Sequence, residues 1–501
     1  MTHARGDRML MVVLGATAVL AGGAAGGRRA TAQPARSPEL PDGGEQCADA
    51  RQRLAAALAG SAPDPGLDER LYASARCDEV EGDVGSAIAL LEQLRARVPA
   101  SPLAAQALAR IGALHARTAR HAEAAAALEA YAKTYPAEPD AATALADAVA
   151  YRKALGDDAQ AIDDTRLFIR LFGGKRPAEA AGAFFGLTSI YEQRGKPDAV
   201  VDHLRAYLKT YGGKGGGDRV VIAHARIGEL RWQASCPVKT TDGSCVALAP
   251  ARPMQCGPAS RRAVRVLGRD PRAVKEAMAG FAAAIKAYDA AGGRFAGGDE
   301  AGARHAYAIA RFHQAEVTYE RYLALAVPAG LDFDPARPAA VKRSTARFSA
   351  WLTDKQRLGA QATDAYARLL FEVKDPAQAI AAAARTGQVA LAFVDTLYTS
   401  DLPAPVARDP DARAAYCDGL TSVAAPLEQR AIEAFGACLR VAGALAWSSS
   451  WSTLCERELG QLAPDDFPAA TELRPSPPAT APPLDVEPAI DRLPPPPPTA
   501  P

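Results

Sequence analysis

Eight cysteines are the residues of this 501-residue chain whose types and spacing point most directly to chemistry. Three of them follow one another at intervals of 9 and 11 residues, unlike the paired short spacings of zinc ribbons. An even number of cysteines in an exported chain favours disulfide bonds, although many pairings remain open. The sequence therefore predicts disulfides and no metal site. The candidates are Cys47, Cys77, Cys236, Cys245, Cys256, Cys417, Cys438 and Cys455.

Counting along a predicted helical hairpin gives the first pairing. Helices over about residues 45–60 and 67–80, joined by a turn at 61–66, place Cys47 and Cys77 at nearly equal distances from the turn. Because antiparallel helices both rise by about 1.5 Å per residue, the two cysteines stand level. We therefore expect a Cys47–Cys77 bond, provided that both side chains face the partner helix and the Cα atoms lie within about 4.4–6.8 Å.

The same counting applies near the other end of the chain. A turn near Ala446 leaves Cys438 and Cys455 at similar distances on either side. We therefore expect a Cys438–Cys455 bond as well. Each bond would close a terminal hairpin, where one neighbouring repeat is missing and a cross-link stabilises most. Buried, reduced cysteines are the alternative for both pairs.

The stretch 235–269 is rich in turn-forming residues and contains three of the cysteines. Irregular segments longer than about 12–15 residues are usually functional, cross-linked or disordered. We expect at least one disulfide among Cys236, Cys245 and Cys256. Because three is an odd number, one of them either reaches Cys417 or stays free.

Residues capable of acid–base catalysis are scattered along the chain. No two of the seven histidines lie four residues apart, and the sequence contains neither H-E-x-x-H nor G-x-S-x-G. Glu316, Glu320, Asp354 and Glu372 fall on predicted helices. A helical lytic enzyme could use one such glutamate as a general acid, but a solvated helix face explains a lone carboxylate equally well. The sequence predicts no catalytic residue and no cofactor.

A glycine run at 212–217, interrupted by Lys214, raises the question of a phosphate-binding loop. Such a loop requires Gly-Lys followed by Ser or Thr, after a strand. Here Asp218 follows the glycines and the preceding segment is helical, so the run indicates a turn. The 58 basic and 57 acidic residues give a net charge of +1, which does not favour nucleic-acid partners.

An internal repeat positions these residues. Four helix-ending turns have their last residues 37, 37 and 39 apart, and four inner breakers recur at the same intervals. A helix, a short breaker and a second helix in each repeat are typical of helical-hairpin solenoids. The turns lie at 98–99, 135–136, 172–173 and 211–212, and the breakers at 82–83, 119–120, 156–157 and 195–196.

The positions within each repeat resemble those of tetratricopeptide repeats over residues 66–233. Gly112 lies where that family has a small first-helix residue, and Pro136 where it has the terminal proline. The period exceeds 34 and the first-helix tryptophan is absent, so an unrelated α-hairpin stack is the alternative. The small position of the second helix holds Ala87, Ala124, Ala161 and Val200, and the bulky position holds Leu91, Leu128, Thr165 and Leu204.

The predicted fold is an all-α, tetratricopeptide-like helix-hairpin solenoid with an irregular cysteine-containing insertion and a disordered, Pro-rich C-terminal tail. Arginines, an apolar stretch and small residues up to Ala32 are typical of a secretory signal, with an uncleaved anchor as the alternative. The expected segments are a signal peptide (1–32), a disordered linker (33–44), the N-terminal solenoid (45–234), the insertion (235–269), a C-terminal helical repeat region (270–468) and the tail (469–501).

Further segments extend the resemblance over most of residues 66–468. Among them is the run Trp-Ser-Ser-Ser-Trp-Ser at 447–452. The others lie at 235–239, 256–258, 269–271, 381–388, 395–398, 415–418, 426–428, 434–439 and 454–459. Together they resemble the large exported tetratricopeptide-repeat proteins of myxobacteria and their relatives, including members associated with adventurous gliding motility. The resemblance implies scaffolding in the cell envelope and gives no catalytic residues.

The leading hypothesis is therefore a periplasmic or envelope scaffold that binds other envelope proteins or peptides through its repeat surface. It predicts no nucleic-acid partner, no membrane span after signal cleavage and no enzymatic activity. A helical envelope enzyme acting on peptidoglycan is the alternative. An assembly factor for outer-membrane proteins is a third reading.

Overall fold

The computed structural model describes residues 44–60, 64–238, 243–248, 256 and 264–468. Two compact units divide the chain, one over residues 1–131 and the other over residues 132–501. The predicted signal peptide (1–32), most of the predicted linker and the predicted tail (469–501) lie outside the described residues. No helix of the described part is long and apolar enough to cross a membrane.

The first unit is made of helices of 14 to 16 residues joined by short turns. The last of them runs a few residues past the boundary between the units. Short helices of this kind gain most of their stability from the apolar face that they pack against a neighbour. The helices are α1 (Gly44–Ala59), α2 (Leu67–Val80), α3 (Val84–Arg97), α4 (Leu103–Arg117) and α5 (His121–Thr134).

The second unit begins with helices of the same kind. The pair α6 with α7 repeats the hairpin, and so does the next repeat, in which α10 is the second helix and the first helix is split into α8 and α9. The helices are α6 (Ala141–Ala154), α7 (Asp158–Phe172), α8 (Pro177–Gly186), α9 (Thr188–Gln193), α10 (Pro197–Tyr211), α11 (Gly217–Ser235) and α12 (Pro271–Ala290).

The inner breakers recognised in the sequence share one backbone conformation. Gly82, Gly156 and Gly195 have φ of 84°, 75° and 63°, and Ala119 has φ of 56°. A positive φ ends an α-helix because the chain can no longer continue its hydrogen bonds, and glycine adopts it without a Cβ clash. The breaker recurs in phase because each hairpin needs the same reversal.

Small and bulky side chains alternate in the packing as the repeat pattern predicts. Ala124 is fully buried, and a Cβ added at Gly112 would lie 2.7 Å from Leu128 Cδ2. The bulky leucine therefore occupies the space that the glycine leaves free. In the second unit, Ala161 is fully buried and Val200 is 1% exposed. Helices within a hairpin can approach closely only because these positions carry little volume.

The insertion contains a short β-ribbon that the sequence analysis did not predict. The strands β1 (Val246–Leu248) and β2 (Val264–Val266) pair antiparallel, with Val246 opposite Val266. Three-residue strands are too short to show an alternating pattern in sequence. Their valines pack against a core of the following helices, so tertiary contact stabilises the ribbon.

The helices after the insertion are longer, up to 35 residues. They lie within the region 270–468 that the sequence predicts to be helical. The helix that begins at Pro338 continues into a π-helical turn at Leu369–Val373. The helices are α13 (Glu300–Ala324), α14 (Pro338–Arg368), α15 (Pro376–Tyr398), α16 (Ala404–Arg408), α17 (Pro410–Ala444) and α18 (Ser450–Leu462).

Helices α11 and α12 cross with their backbones in contact. A Cβ added at Gly280 would lie 2.9 Å from the backbone nitrogen of Gly228. A Cβ added at Gly228 would lie 2.6 Å from Phe281 Cδ1. No side chain fits between the two helices at this point, so the glycine pair fixes where they cross.

The predicted fold class is confirmed. The protein is an all-α, tetratricopeptide-like helix-hairpin solenoid, interrupted by the cysteine-containing insertion. The only strands in the described part of the chain are the two of that insertion.

Candidate binding cavity and buried ion pairs

A cavity of about 910 Å³ lies within the second unit. Its walls are formed by α6, α7, α8, the start of α11 and the turn between α12 and α13. We call it the glycine-walled cavity, because glycines at 182, 186, 215–217, 297 and 298 line it. Its volume is within the range of about 300–1,000 Å³ that ligand sites usually have.

The wall formed by α8 is made of small residues. Ala178, Gly182, Ala183 and Gly186 all line the cavity from this helix. Residues three, four and eight apart share a helix face, so these positions form one continuous surface. These residues leave the helix backbone accessible around Gly186, while the guanidinium of Arg219 lies over Gly182. Leu187 and the buried Phe168 add apolar contact area.

The opposite wall uses the glycine run that the sequence analysis interpreted as a turn. Gly216 has φ of 98°, a conformation that L-residues rarely adopt. A Cβ added at Gly215 would lie 2.5 Å from Tyr207 Oη. Glycine is therefore required here by the turn and by the close approach of the tyrosine. The run lies beside the first turn of α11 and exposes backbone to the cavity.

The carboxylates of the cavity already have partners. Asp218 is 4% exposed and accepts a hydrogen bond of 2.9 Å from the backbone N–H of Asp299. Glu179 lies at the rim and forms an ion pair of 3.2 Å with Arg176. The negative charges of Asp218 and Glu179 are therefore compensated within the protein, and a ligand would have to compete with these contacts.

The cations of the cavity are more available. Arg294 is exposed and makes no ion pair within the part of the chain that the structure describes. Lys153 contacts only the carbonyl oxygen of Gly186, at 3.4 Å, longer than a good N–H···O hydrogen bond. Arg219 donates to the carbonyl oxygen of Gly215 at 2.8 Å. The charge offered to a ligand is therefore positive.

The described lining of the cavity has the composition of a binding site. No histidine or cysteine is among these described lining residues. Among the described residues, no group of three or more His, Cys, Asp or Glu side chains could hold a metal ion. What the arrangement can do is enclose an extended chain and attract negative charge.

The first glutamate considered as a general acid, Glu316, is fully buried and paired. Arg385 donates to its carboxylate through Nη2 at 2.7 Å and through Nε at 2.8 Å. The hydroxyl of Tyr366 donates to the same carboxylate at 2.5 Å, and burial raises the pKa of this tyrosine. The arginine also stacks within 4.8 Å of the ring of Tyr319 and 4.7 Å of Trp451. Glu316 holds α13 to α15, and its side chain is closed off from solvent.

The second glutamate, Glu320, stabilises the insertion. Arg269 donates to it at 2.6 Å, and the backbone N–H of Cys245 donates at 2.8 Å. The same guanidinium lies 3.8 Å from the ring centroid of Trp232. It also donates to the carbonyl oxygen of Gly243 at 3.0 Å. This side chain joins the end of α11, the insertion and α13.

The other two carboxylates considered as general acids, Asp354 and Glu372, are at the surface. Asp354 is exposed and pairs with Arg357 at 3.1 Å. Glu372 is exposed and lines a small pocket of about 180 Å³ together with Arg311 and Arg368. None of the four carboxylates lines the glycine-walled cavity. The geometry therefore gives the lytic-enzyme alternative no catalytic centre among these residues.

Two disulfides close the terminal hairpins for which the sequence predicts them from the distance of each cysteine to the turn. Cys47 and Cys77 are bonded, with their Cα atoms 5.5 Å apart. Cys438 and Cys455 are bonded, with their Cα atoms 6.4 Å apart. Both pairs are almost fully buried. Each bond links consecutive helices, α1 to α2 and α17 to α18.

The other two disulfides fasten the insertion. Cys236 is bonded to Cys245 across 9 residues, a pair within the predicted group of three. Cys256 is bonded to Cys417 on α17, across 161 residues. All cysteines of the chain are therefore used. Four disulfides indicate an oxidising, exported location.

Comparison with known proteins identifies no family. No family model matches the sequence, and no curated protein is significantly similar to it. Among solved structures, yeast Tom70 matches at 10% identity with a TM-score of 0.20, covering 79% of this chain and 84% of that one. A circular tandem repeat protein matches at 12% identity with a TM-score of 0.17, covering 84% and 89%. Overlaps this low have no bearing on function.

The cavity itself was not foreseen from the sequence. Its walls come from residues as far apart as Ala146 and Gly298, and none of them forms a motif. The one available signal was the glycine run, because six residues with five glycines are more than a simple turn needs. A second signal was the glycine and alanine stripe of α8.

Proposed function

We propose that this protein is a non-catalytic scaffold of the cell envelope that binds an extended segment of a protein in the glycine-walled cavity. The observation that supports this most is the cavity itself, of about 910 Å³, with small residues on one wall and exposed backbone on the other. An extended peptide needs both features, since it makes its hydrogen bonds through the backbone and packs closely where side chains are short.

The charge of the cavity favours a segment that carries carboxylates. Asp218 and Glu179 are engaged within the protein, whereas Arg294 and Lys153 can turn to a ligand. Electrostatic complementarity of this kind contributes mainly to specificity and to the association rate. We therefore assign the cavity an acidic, extended protein segment as its occupant.

The envelope setting of the proposal rests on the four disulfides and on the signal-like N-terminus. The resemblance to exported myxobacterial repeat proteins adds gliding motility as the process that such a scaffold would serve. Assembly of outer-membrane proteins is a separate alternative. A helical-repeat protein of this type brings partners together and supplies no chemistry of its own.

The decisive experiment fills the cavity without disturbing the fold. Gly186 lines the cavity, and a Cβ added there meets nothing within 4 Å. The change Gly186→Phe should abolish recovery of a specific envelope protein in pull-downs from envelope extract. Gly174→Phe is the matched control, because a Cβ at this exposed glycine also meets nothing and it lies outside the cavity. Equal recovery by both variants would contradict the proposed site.

A charge variant tests the assigned occupant. Arg294→Glu should weaken binding of an acidic peptide by about tenfold, whereas Arg272→Glu on exposed α12 surface should leave it nearly unchanged. Binding should also weaken as salt rises, because exposed charges are screened beyond about 8–10 Å. Binding of a neutral peptide with the same affinity would show that the cavity does not recognise the carboxylates of the peptide.

The peptidoglycan-enzyme alternative is tested on the same material. The wild-type protein should not release soluble fragments from purified peptidoglycan. Measurable release that is lost in Glu372→Gln would restore the enzymatic alternative, since this carboxylate is the accessible glutamate of the four residues considered.

A further inference from the structure

The four disulfides differ in how far solvent reaches their sulfur atoms. In the pairs Cys47–Cys77 and Cys438–Cys455, every cysteine is at most 2% exposed. In the other two pairs one cysteine is partly exposed and its partner is buried. A disulfide exchanges with an external thiolate only if one of its sulfurs can be approached.

Cys417 is the cysteine that a reagent can reach through a pocket. It lines a pocket of about 330 Å³ together with Arg408 and Arg413, at the junction of α16 and α17. Arg413 and Cys417 are four residues apart on α17, so their side chains share a face of the helix. Its partner Cys256 is 5% exposed and packs against Val394 and other apolar residues.

The charged groups near the two accessible disulfides differ, with arginines at one and a neutralised carboxylate at the other. Arginines lie beside Cys417, and positive charge attracts and stabilises thiolates. At the other bond, the carboxylate of Glu320 accepts from the backbone N–H of Cys245, although Arg269 neutralises it. An incoming thiolate is therefore favoured at Cys417 and not at Cys236 or Cys245.

We infer that Cys417 is a site of thiol–disulfide exchange with a protein dithiol, which opens the Cys256–Cys417 bond in the folded protein. A thiolate of the dithiol attacks Cys417 Sγ, and a new S–S bond forms as the old one breaks. The electron pair leaves on Cys256 Sγ, which takes up a proton. The second thiolate of the dithiol then attacks the mixed disulfide and releases Cys417. The dithiol ends as a disulfide, having given up two electrons.

Opening this bond removes the described covalent link between the insertion and α17. The bond spans 161 residues, the longest loop among the four disulfides. Closing a long loop restricts the unfolded chain more than closing a short one. Reduction of this bond therefore lowers the free energy of unfolding more than reduction of a bond that closes a shorter loop. The buried bonds of the terminal hairpins stay closed.

The experiment follows the four bonds separately in the native full chain. The oxidised protein is treated with dithiothreitol at low salt, quenched by alkylation at intervals and mapped by mass spectrometry. Cys256–Cys417 should open at least about tenfold faster than Cys438–Cys455, because accessibility limits exchange. Simultaneous opening of all four bonds, or earlier opening of Cys236–Cys245, would overturn the inference.

A variant isolates the charge effect. Arg408→Gln should slow opening of Cys256–Cys417 by about threefold at low salt, and the difference should vanish at high salt. Arg430→Gln, at an exposed position of α17 that does not line the pocket, is the matched control and should change nothing. An unchanged rate in Arg408→Gln would show that the arginine does not guide the thiolate.

A monothiol probe identifies the attacked sulfur. Glutathione lacks a second thiol, so the mixed disulfide persists and can be located on one cysteine. The adduct should be found on Cys417 while Cys256 is alkylated as a free thiol. An adduct on Cys256 would refute the assigned direction of attack.

Discussion

The helices between α2 and α11 and those from α13 to α15 solve the same packing problem differently. In the repeats, helices of mostly 14–15 residues approach through small side chains such as Ala124 and Gly112. Ion pairs there keep at least one partner partly exposed, as in Arg152–Asp164, with side chains 12% and 2% exposed. From α13 to α15, helices of 23 to 31 residues bury charges between them. Glu316, Arg385 and Lys355 are all at most 1% exposed.

The difference shows two ways of fixing the register of neighbouring helices. A small residue opposite a large one fixes register by volume, and it recurs because each repeat needs the same contact. A buried ion pair fixes register by the cost of leaving a charge unpaired, and it does not have to recur at a fixed interval along the chain. The first way leaves a periodic signal in sequence and the second does not.

The largest effect should come from breaking the buried pair. Arg385→Met removes the cation that is paired with the buried carboxylate of Glu316, so the free energy of unfolding should fall by about 3–5 kcal/mol. Urea unfolding followed by circular dichroism measures it. In the double variant with Glu316→Leu, much of the loss should be regained because no charge remains buried.

The control for this prediction is an exposed ion pair in the repeats. Arg226 and Glu192 form a surface pair of 2.7 Å between α11 and α9, each about one third exposed. Arg226→Met should cost at most about 1 kcal/mol, since exposed ion pairs contribute little. Equal losses in the two regions would remove the distinction between them.

The second effect concerns pH. Burial lowers the pKa of Lys355 to about 8, while the side chain donates to the carbonyl oxygen of Tyr322 at 2.7 Å. Between pH 8 and 10.5 the unfolded chain holds a proton that the folded chain has lost. Stability relative to Lys355→Met should therefore rise across that window, by about 3 kcal/mol in total.

The comparison needs a lysine that is not buried. Lys342→Met lies on the same helix at an exposed position and should show no such dependence on pH. Parallel pH profiles for wild-type protein and Lys355→Met would mean that the lysine keeps an ordinary pKa, and that burial of charge is less costly in this region than proposed.

The smallest effect tests the repeats directly. Ala124 is fully buried, so Ala124→Leu should overpack the hairpin and cost about 1–3 kcal/mol, seen as a lower melting temperature. Ala126→Leu on the exposed side of the same helix should change stability by less than about 0.5 kcal/mol. Similar melting temperatures for both variants would show that volume does not set the register.

The repeat region was largely predictable because its signals are local. The breakers at Gly82, Gly156 and Gly195 and the small position at Ala124 can be found by counting along the chain. The same counting gave the pairs Cys47–Cys77 and Cys438–Cys455, since each joins adjacent helices.

The rest depends on contacts between distant residues. Glu316 and Arg385 are 69 positions apart, and Arg269 and Glu320 are 51 apart. A single charged residue on a helix gives no sign of such a partner. The cavity and the β-ribbon depend in the same way on tertiary packing, so a reading of periodicity and turns could not reveal them.

The contact of Gly228 with Gly280 fixes the point at which α11 and α12 cross. The start of α11 and the end of α12, which border the glycine-walled cavity, both lie roughly 15 Å from that crossing at about 1.5 Å per residue. The crossing point cannot slide, because no side chain fits there. The placement of the two helix ends that border the cavity is thus set by a backbone contact between residues that do not line it.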